Sequence, residues 1–337
     1  MKKTLWIGYG NSAQAWYRCG IPATELNSDW VGLMDGPPDN GGIVIAGNCM
    51  NMPNPLDYEV VIVQLAVGED WLNSIKSWQK AGVTVYYECD DYLHGVNRIK
   101  DHKYQGAFNK KRLKQYVNCM KACDGMIVTT QPLADYYSKY NSNIHVCQNF
   151  INTGLYDVLP HEKPDDKLFI GWSGGTGHLQ AVKSWYREIL DVMTTFNNTA
   201  FMSIGTNYGD EISMAFPDRS ISVPWTNIEN YPYALRAIDI GIAPSHDSKY
   251  FRSKSDLRWI EGAAVGLPMV VNPITYPEVE DRVTGMVAND SEEFEAKISE
   301  LVMNADLRNE IAQNAKKYVQ DNRDIRQGAE QWRQILS

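Results

Sequence analysis

Residues 168–175, LFIGWSGG, run apolar and then stop on three small side chains. That is a strand followed by a tight turn, where small residues let another backbone approach closely. The same alternation has already run through the first half of the chain. TLWIGYG (4–10), EVVIVQLA (59–66), GVTVYYECDD (82–91), DGMIVTT (124–130) and NIHVCQNF (143–150) are strand-like there. WLNSIKSWQKA (71–81) and QPLADYYSKY (131–140) carry helical spacing between them. At residue 168 the series restarts, continuing through TAFMSIGT (199–206), SISVPW (220–225), AIDIGIAP (237–244) and LPMVVNP (267–273). Strands that alternate with helices build parallel sheets covered on both faces. The sequence therefore predicts an α/β protein of two Rossmann-like domains facing a cleft, the second opening at Leu168. YDVLPHEKPDDK (156–167), polar with two prolines, reads as the connector. The tail, SEEFEAKISELVMNADLRNEIAQNAKKYVQDN (291–322) and DIRQGAEQWRQIL (324–336), reads as helices.

Composition agrees with two packed domains. The 337 residues are 44% apolar and 22% charged, with 10 Trp and 19 Tyr, so each half has material for its own core and for an aromatic cleft. The basic start MKKTLWIGYG lacks the apolar core of a signal peptide, and no run of about 18 apolar residues occurs. The six cysteines (19, 49, 89, 119, 123, 147) have no Cys-x-x-Cys pair and no zinc-ligand spacing, so they read as reduced thiols in a cytoplasm. The net charge of −9 argues against a protein that coats nucleic acid with its whole surface. Yet residues 98–121 hold eight cations against Asp101 alone.

Several polar clusters stand where chemistry needs them. FRSKSDLRWIEGAAVGLPMVVNP (251–273) sets Arg252, Lys254, Arg258 and Glu261 just ahead of an apolar strand. Ligands of open α/β sheets bind beyond the carboxyl ends of strands, where helix N-termini favour anions. Arg252 and Lys254 would add charge to such a diphosphate seat, and Glu261 could accept hydrogen bonds from a ribose diol. A solvated loop with ordinary surface cations is the plain alternative. Asp90 and Asp91, closing a strand, have the arrangement to orient an acceptor hydroxyl or take its proton, or simply to cap a turn. IGYGNSAQAWYR (7–18) places Gly8, Gly10 and Ala13 between strand and helix. A dehydrogenase would use that turn for NAD, but ELNSDWVGLMDG (25–36) reads as turn-rich and shows no clear acidic strand end. GAFNKKRLKQYVNCMKAC (106–123) reads as an amphipathic helix with Leu113, Val117 and Met120 on one face and a basic patch, Lys110, Lys111, Arg112 and Lys114, that suits a polyanion or an anionic surface.

The 251–273 segment resembles the C-terminal signature of retaining two-Rossmann (GT-B) glycosyltransferases of the group that includes glycogen and sucrose synthases. That signature is two Glu residues separated by seven others, then a small-residue helix and a Gly-x-Pro-Val-Val strand. Glu261 holds the second Glu position and GLPMVV matches the strand, while Ser253 stands where the first Glu belongs. The form F-x-x-K-S-x-x-x-x-x-E is similar to a branch found in bacteria and phages, in which Lys254 and Ser255 would face the donor diphosphate. LFIGWSGGTGHLQAV (168–182) resembles the donor domain's first strand and loop, which implies donor contacts from Ser173, Gly174, Gly175, Thr176 and His178. Val223, Pro224 and Trp225 fall near the expected donor base, and Gly10 and Asn11 on the turn facing the transferred sugar.

The resemblance implies a glycosyltransferase with domains 1–157 and 166–320, and a helix, 321–337, returning to the first domain. It implies catalytic roles for Asp90, Asp91, Arg252 and Lys254, a UDP- or GDP-sugar donor, and no metal or other cofactor. The acceptor is expected to be anionic: hydroxymethylated bases in phage DNA, with cell-wall polysaccharide or lipid as the alternative. A non-catalytic nucleotide-sugar binder, favoured by Ser253, and an NAD-dependent oxidoreductase remain as other classes.

Overall fold

The computed structural model describes residues 2–49, 51–97, 106–159 and 167–337. The first sheet holds seven strands: β1 (Thr4–Tyr9), β2 (Asp29–Met34), β3 (Ile43–Gly47), β4 (Val60–Gln64), β5 (Thr84–Cys89), β6 (Gly125–Val128) and β7 (Ile144–Val146). Their order is β3-β2-β1-β4-β5-β6-β7, and all pairs are parallel except β2 with β3. Alternation along β1 and β4 splits the core between the two faces. Trp6, Val60 and Ile62 join one buried cluster, while Leu5, Ile7, Val61 and Val63 join the other.

The second sheet holds six parallel strands: β8 (Leu168–Gly174), β9 (Thr199–Gly205), β10 (Ser220–Val223), β11 (Ile240–Ala243), β12 (Met269–Val271) and β13 (Met286–Val287). Their order, β10-β9-β8-β11-β12-β13, is the doubly wound Rossmann order. Two features differ from the sequence reading. Residues 25–36 contain strand β2, so Asp35 does stand at a strand end, with φ +65°. Strand β3 is an antiparallel edge whose Ile43 and Ile45 stay exposed, and half-buried edges give weak periodic signals.

Helices Ser291–Met303 and Ala305–Asn322 lead to the last helix, Ile325–Leu336. That helix packs on the first domain, with Trp332 edge-on to Trp6 at 4.8 Å and Gly328 directly against Phe150. A parallel bridge joins Ile151 to Asp324, so both crossings between the domains run side by side. The six cysteines are free thiols. Among the described residues no helix is long and apolar enough to cross a membrane.

Candidate active site

Each sheet reverses its winding beside the strand that comes first in its chain order, β1 in the first and β8 in the second. Open α/β sheets bind ligands in the crevice beyond such a strand's carboxyl end. Here the two crevices face each other around a cavity of about 740 Å³. Asn11, Ser12, Ala13, Trp16 and Tyr17 line it from behind β1. Ser173, Gly174, Gly175, Trp225, Tyr231, Arg258 and Glu261 line it from the second domain.

Helix Leu257–Ala264 supplies the two charged groups. Trp259, Ile260, Ala263 and Ala264 bury one side of it, which leaves Arg258 and Glu261, three residues apart, together on the cavity side. Arg258 Nε donates to the Ser173 carbonyl at 2.6 Å, Nη1 donates to Tyr276 Oη at 3.2 Å, and the guanidinium stacks 3.9 Å from the Trp172 ring. Gly174, φ +150°, makes room for it, since a Cβ there would lie 2.5 Å from Arg258 Nη2. Glu261 sits among tyrosines: Tyr17 Oη donates to its Oε1, Tyr231 Oη donates to Oε2 at 3.4 Å, and the Tyr17 and Tyr156 hydroxyls are 2.7 Å apart. Burial lifts the Glu261 carboxyl to about 7, against the opposing pull of the Tyr17 hydrogen bond and Arg258.

A second constellation lies at the end of β5. Lys254 Nζ donates to Asp91 Oδ1 at 2.5 Å across the two domains. Gln14 Nε2 donates to Asp90 at 3.0 and 3.2 Å and to Asp91 at 3.3 Å. Behind them Arg18 and Glu88 form a buried ion pair at 2.7 Å. Burial works to lower the Lys254 ammonium, but Asp91 outweighs it and raises the pKa, so Lys254 stays protonated.

Residues 183–334 match the Glycosyl transferase-like family. The whole chain shares its fold with sucrose-phosphate synthase from Thermosynechococcus elongatus, at 14% identity over 99% of this chain and 98% of that one, TM-score 0.69. The second domain thus matches a glycosyltransferase-like family, and the chain as a whole has the GT-B fold. Anabaena HepE, solved with UDP-glucose, superposes at 12% identity over 100% and 99% of the chains, TM-score 0.68. A glycosyltransferase from Rickettsia africae does so at 14% identity over 100% and 99%, TM-score 0.64. No curated protein matches the sequence.

The fold brings together only part of the set that the sequence pointed to. Asn11, Ser173, Gly174, Gly175, Trp225 and Glu261 line the cavity. Gly10, φ +65°, is the turn that turns Asn11 toward it. Thr176 and His178 form the next turn, with the His178 ring packed on Trp172 and Phe251, and Pro224 precedes Trp225 outside the lining.

Arg252, expected at the diphosphate, lies outside the cavity lining. It ends the single turn Lys249–Arg252, and its side chain is exposed, bidentate to Asp247 at 2.7 and 2.8 Å. Ser253 is also turned away: its hydroxyl donates to the Lys249 carbonyl at 2.6 Å. Ser255 Oγ accepts from Asn149 Nδ2 at 2.8 Å. Sequence reasoning grouped Arg258 with its neighbouring cations without giving it a role, and it missed Tyr17 and Gln14. Only the helical three-residue spacing of Arg258 from Glu261 signalled any of the three.

Lys110, Lys111, Arg112 and Lys114 are exposed in the first turns of helix Lys110–Ala122, outside the cavity lining. Arg98, Lys100 and Lys103 lie outside the described residues. Among the described residues no cluster of three metal-ligating side chains occurs.

Asp90 gives the site a pH signature. Burial first, then the charges of Asp91 and Glu88, push its carboxyl up to about 8. A folded-state pKa above the unfolded value means that its contribution to stability is fully present below about pH 4 and is lost as pH rises through about 8. Asp90→Asn is therefore expected to melt at a higher temperature than the parent at pH 8.5, the gap closing by pH 4. Melting curves at both pH values check this, and an equal gap at both would refute it.

Proposed function

We propose that the protein transfers a sugar from a UDP-linked donor to an acceptor hydroxyl, with retention of anomeric configuration as the resemblance implies. The observation that carries this reading is the convergence of Arg258, Glu261 and the small loop Ser173–Gly175 on one cavity between two facing switch points. The reading is also supported by HepE, whose superposed structure holds UDP-glucose.

The donor base would lie against Trp225 and the ribose diol would donate to Glu261. Arg258, Lys254 and Ser255 would face the diphosphate, at the positive end of helix Leu257–Ala264. As the acceptor oxygen bonds to the anomeric carbon and gives up its proton to the Asp91 carboxylate, the bond from that carbon to the diphosphate oxygen breaks. The departing nucleotide keeps the electron pair. Arg258 and Lys254 oppose that growing negative charge, while closed domains exclude the water that hydrolyses the donor. Asp90, held neutral, and Asp91 would meet the acceptor hydroxyl. The exposed cations from Lys110 to Lys114 favour an anionic acceptor, with hydroxymethylated DNA as the first choice.

Nucleoside diphosphate release tests this with UDP, GDP and ADP sugars, each offered with hydroxymethylated DNA, unmodified DNA, an acidic polysaccharide or no acceptor. Release from a UDP sugar, stimulated by hydroxymethylated DNA, is expected. Stimulation by the polysaccharide alone would move the acceptor to the cell surface. Donor binding without release under any condition would leave a binding protein. Energy transfer from tryptophan to bound NADH would favour the oxidoreductase instead.

A further inference from the structure

Lys254, Ser255 and Asp256 lie between two helices, and each of the three is tied to a different partner. Ser255 Oγ accepts from Asn149 of the first domain at 2.8 Å. Asp256 accepts from Arg323 at 2.5 and 2.7 Å, and Arg323 also donates to the Asn149 carbonyl at 3.0 and 3.2 Å. Those two ties fix the backbone on the C-terminal side of Lys254. Thr130 Oγ1 fixes the N-terminal side by donating to the Ser253 carbonyl at 3.1 Å. The Lys254 side chain itself is held only at its tip, where the ammonium rests on Asp91 at 2.5 Å and over the Tyr250 ring at 4.6 Å. Both side chains keep some contact with water, at 19% and 17% exposure.

Asp91 is equally well held. Its carbonyl accepts from Tyr137 Oη at 2.9 Å and from the Leu93 amide at 3.1 Å, which fixes the backbone that carries the carboxylate. On the donor-site reading, Asp91 thus occupies the place of an anion on Lys254.

We propose that Asp91 is an internal stand-in for the donor diphosphate: donor binding draws Lys254 off Asp91, and the freed carboxylate then accepts the hydrogen bond of the acceptor hydroxyl. The inference rests on the donor-site reading above. Asp91 and the diphosphate compete for one cation, so each weakens the other's hold on it by the same factor. The exchange moves one side chain and leaves the flanking backbone in place. Gln14 Nε2, 3.3 Å from Asp91 Oδ2, stays with the carboxylate after the lysine has left. Asp90, kept neutral beside it, adds no second charge to repel.

The test is UDP and inorganic pyrophosphate affinity, measured by titration calorimetry on the full chain in four proteins: parent, Asp91→Asn, Lys254→Ala and the double variant. Asp91→Asn is expected to bind both ligands more tightly, by about fivefold to tenfold, because the competitor for Lys254 is gone. Lys254→Ala is expected to bind them more weakly, and adding Asp91→Asn to it should change nothing further. Transfer to acceptor should fall in Asp91→Asn despite the tighter donor binding, a split that a merely structural role does not produce. Melting curves establish that all four proteins are folded. If Asp91→Asn binds UDP as the parent does, or more weakly, while Lys254→Ala binds weakly, the exchange is wrong and the donor site stands. If Lys254→Ala binds UDP and pyrophosphate like the parent, the assignment of Lys254 to the diphosphate fails, and the exchange fails with it.

Discussion

Arg258→Ala is expected to lower kcat for nucleoside diphosphate release by about 10²–10³-fold, the loss that follows removal of one preorganised group facing developing charge. The guanidinium is oriented before any ligand arrives. It is stacked on Trp172 at 3.9 Å and anchored through Nε to the Ser173 carbonyl at 2.6 Å. Little reorganisation is then needed when charge builds on the departing diphosphate. Arg258→Lys keeps the charge and loses the planar fork, so an intermediate loss is expected. Arg252→Ala is the contrast. Its side chain and Asp247 are both exposed, and surface pairs of that kind contribute about 0–1 kcal/mol, so release within threefold of the parent is expected. Steady-state release with a saturating UDP sugar separates the two. Equal losses in Arg252→Ala and Arg258→Ala would remove Arg258 from the site.

That contrast shows where the sequence became illegible. The βαβ rhythm identified ten of the strands because buried parallel strands are apolar runs bounded by turn residues. Asp90, Asp91 and Ser173–Gly175 likewise stand at the carboxyl ends of β5 and β8, where the apolar runs end in the sequence. Side-chain direction in a broken helix is another matter. Residues 249–258 read as loop and then continuous helix, but the chain makes one turn at Lys249–Arg252, breaks over residues 253–256, and restarts at Leu257. Arg252 is thereby turned to solvent and Arg258 to the cavity. Charge counting treats them alike.

The same applies between β1 and β2. Trp16–Gly20 forms a π-helical stretch, whose extra residue per turn spoils the 3.6 period used to assign faces. Trp16 and Tyr17 line the cavity while Arg18 goes into the core. No spacing rule applied to AWYRCG separates these three neighbours. Tyr17 meets Glu261 only because the domains face each other, a contact 244 residues apart in the chain.

Arg18→Met is expected to cost about 3–5 kcal/mol of unfolding free energy, the penalty for leaving one member of a buried ion pair without its partner. Arg18 is 1% exposed and Glu88 0%, so water cannot replace what the substitution removes. Burial already raises the Glu88 carboxyl, and Arg18 is the first of the groups that hold it down. Arg18 Nη1 also donates to the carbonyls of Cys147 and Gln148 at 2.9 and 3.1 Å, which fixes the crossing to the second domain. Removing both charges should behave differently from removing one. In Arg18→Met/Glu88→Leu nothing ionised is left buried, and Gln64 keeps its hydrogen bond to the Gln14 carbonyl at 3.1 Å, so most of the lost stability should return. Urea unfolding of the parent, the single and the double variant decides this. A single-variant cost below about 1 kcal/mol, or a double variant no better than the single, would mean that the pair is not energetically isolated from solvent. Activity need not return with stability. Arg18 Nη1 also donates to Asn149 Oδ1 at 3.1 Å, and Asn149 in turn donates to Ser255 Oγ, next to Lys254, at 2.8 Å. A double variant that is stable yet slow would therefore separate the two duties of this arginine: neutralising Glu88, which a leucine in its place makes unnecessary, and aiming Asn149, which it does not.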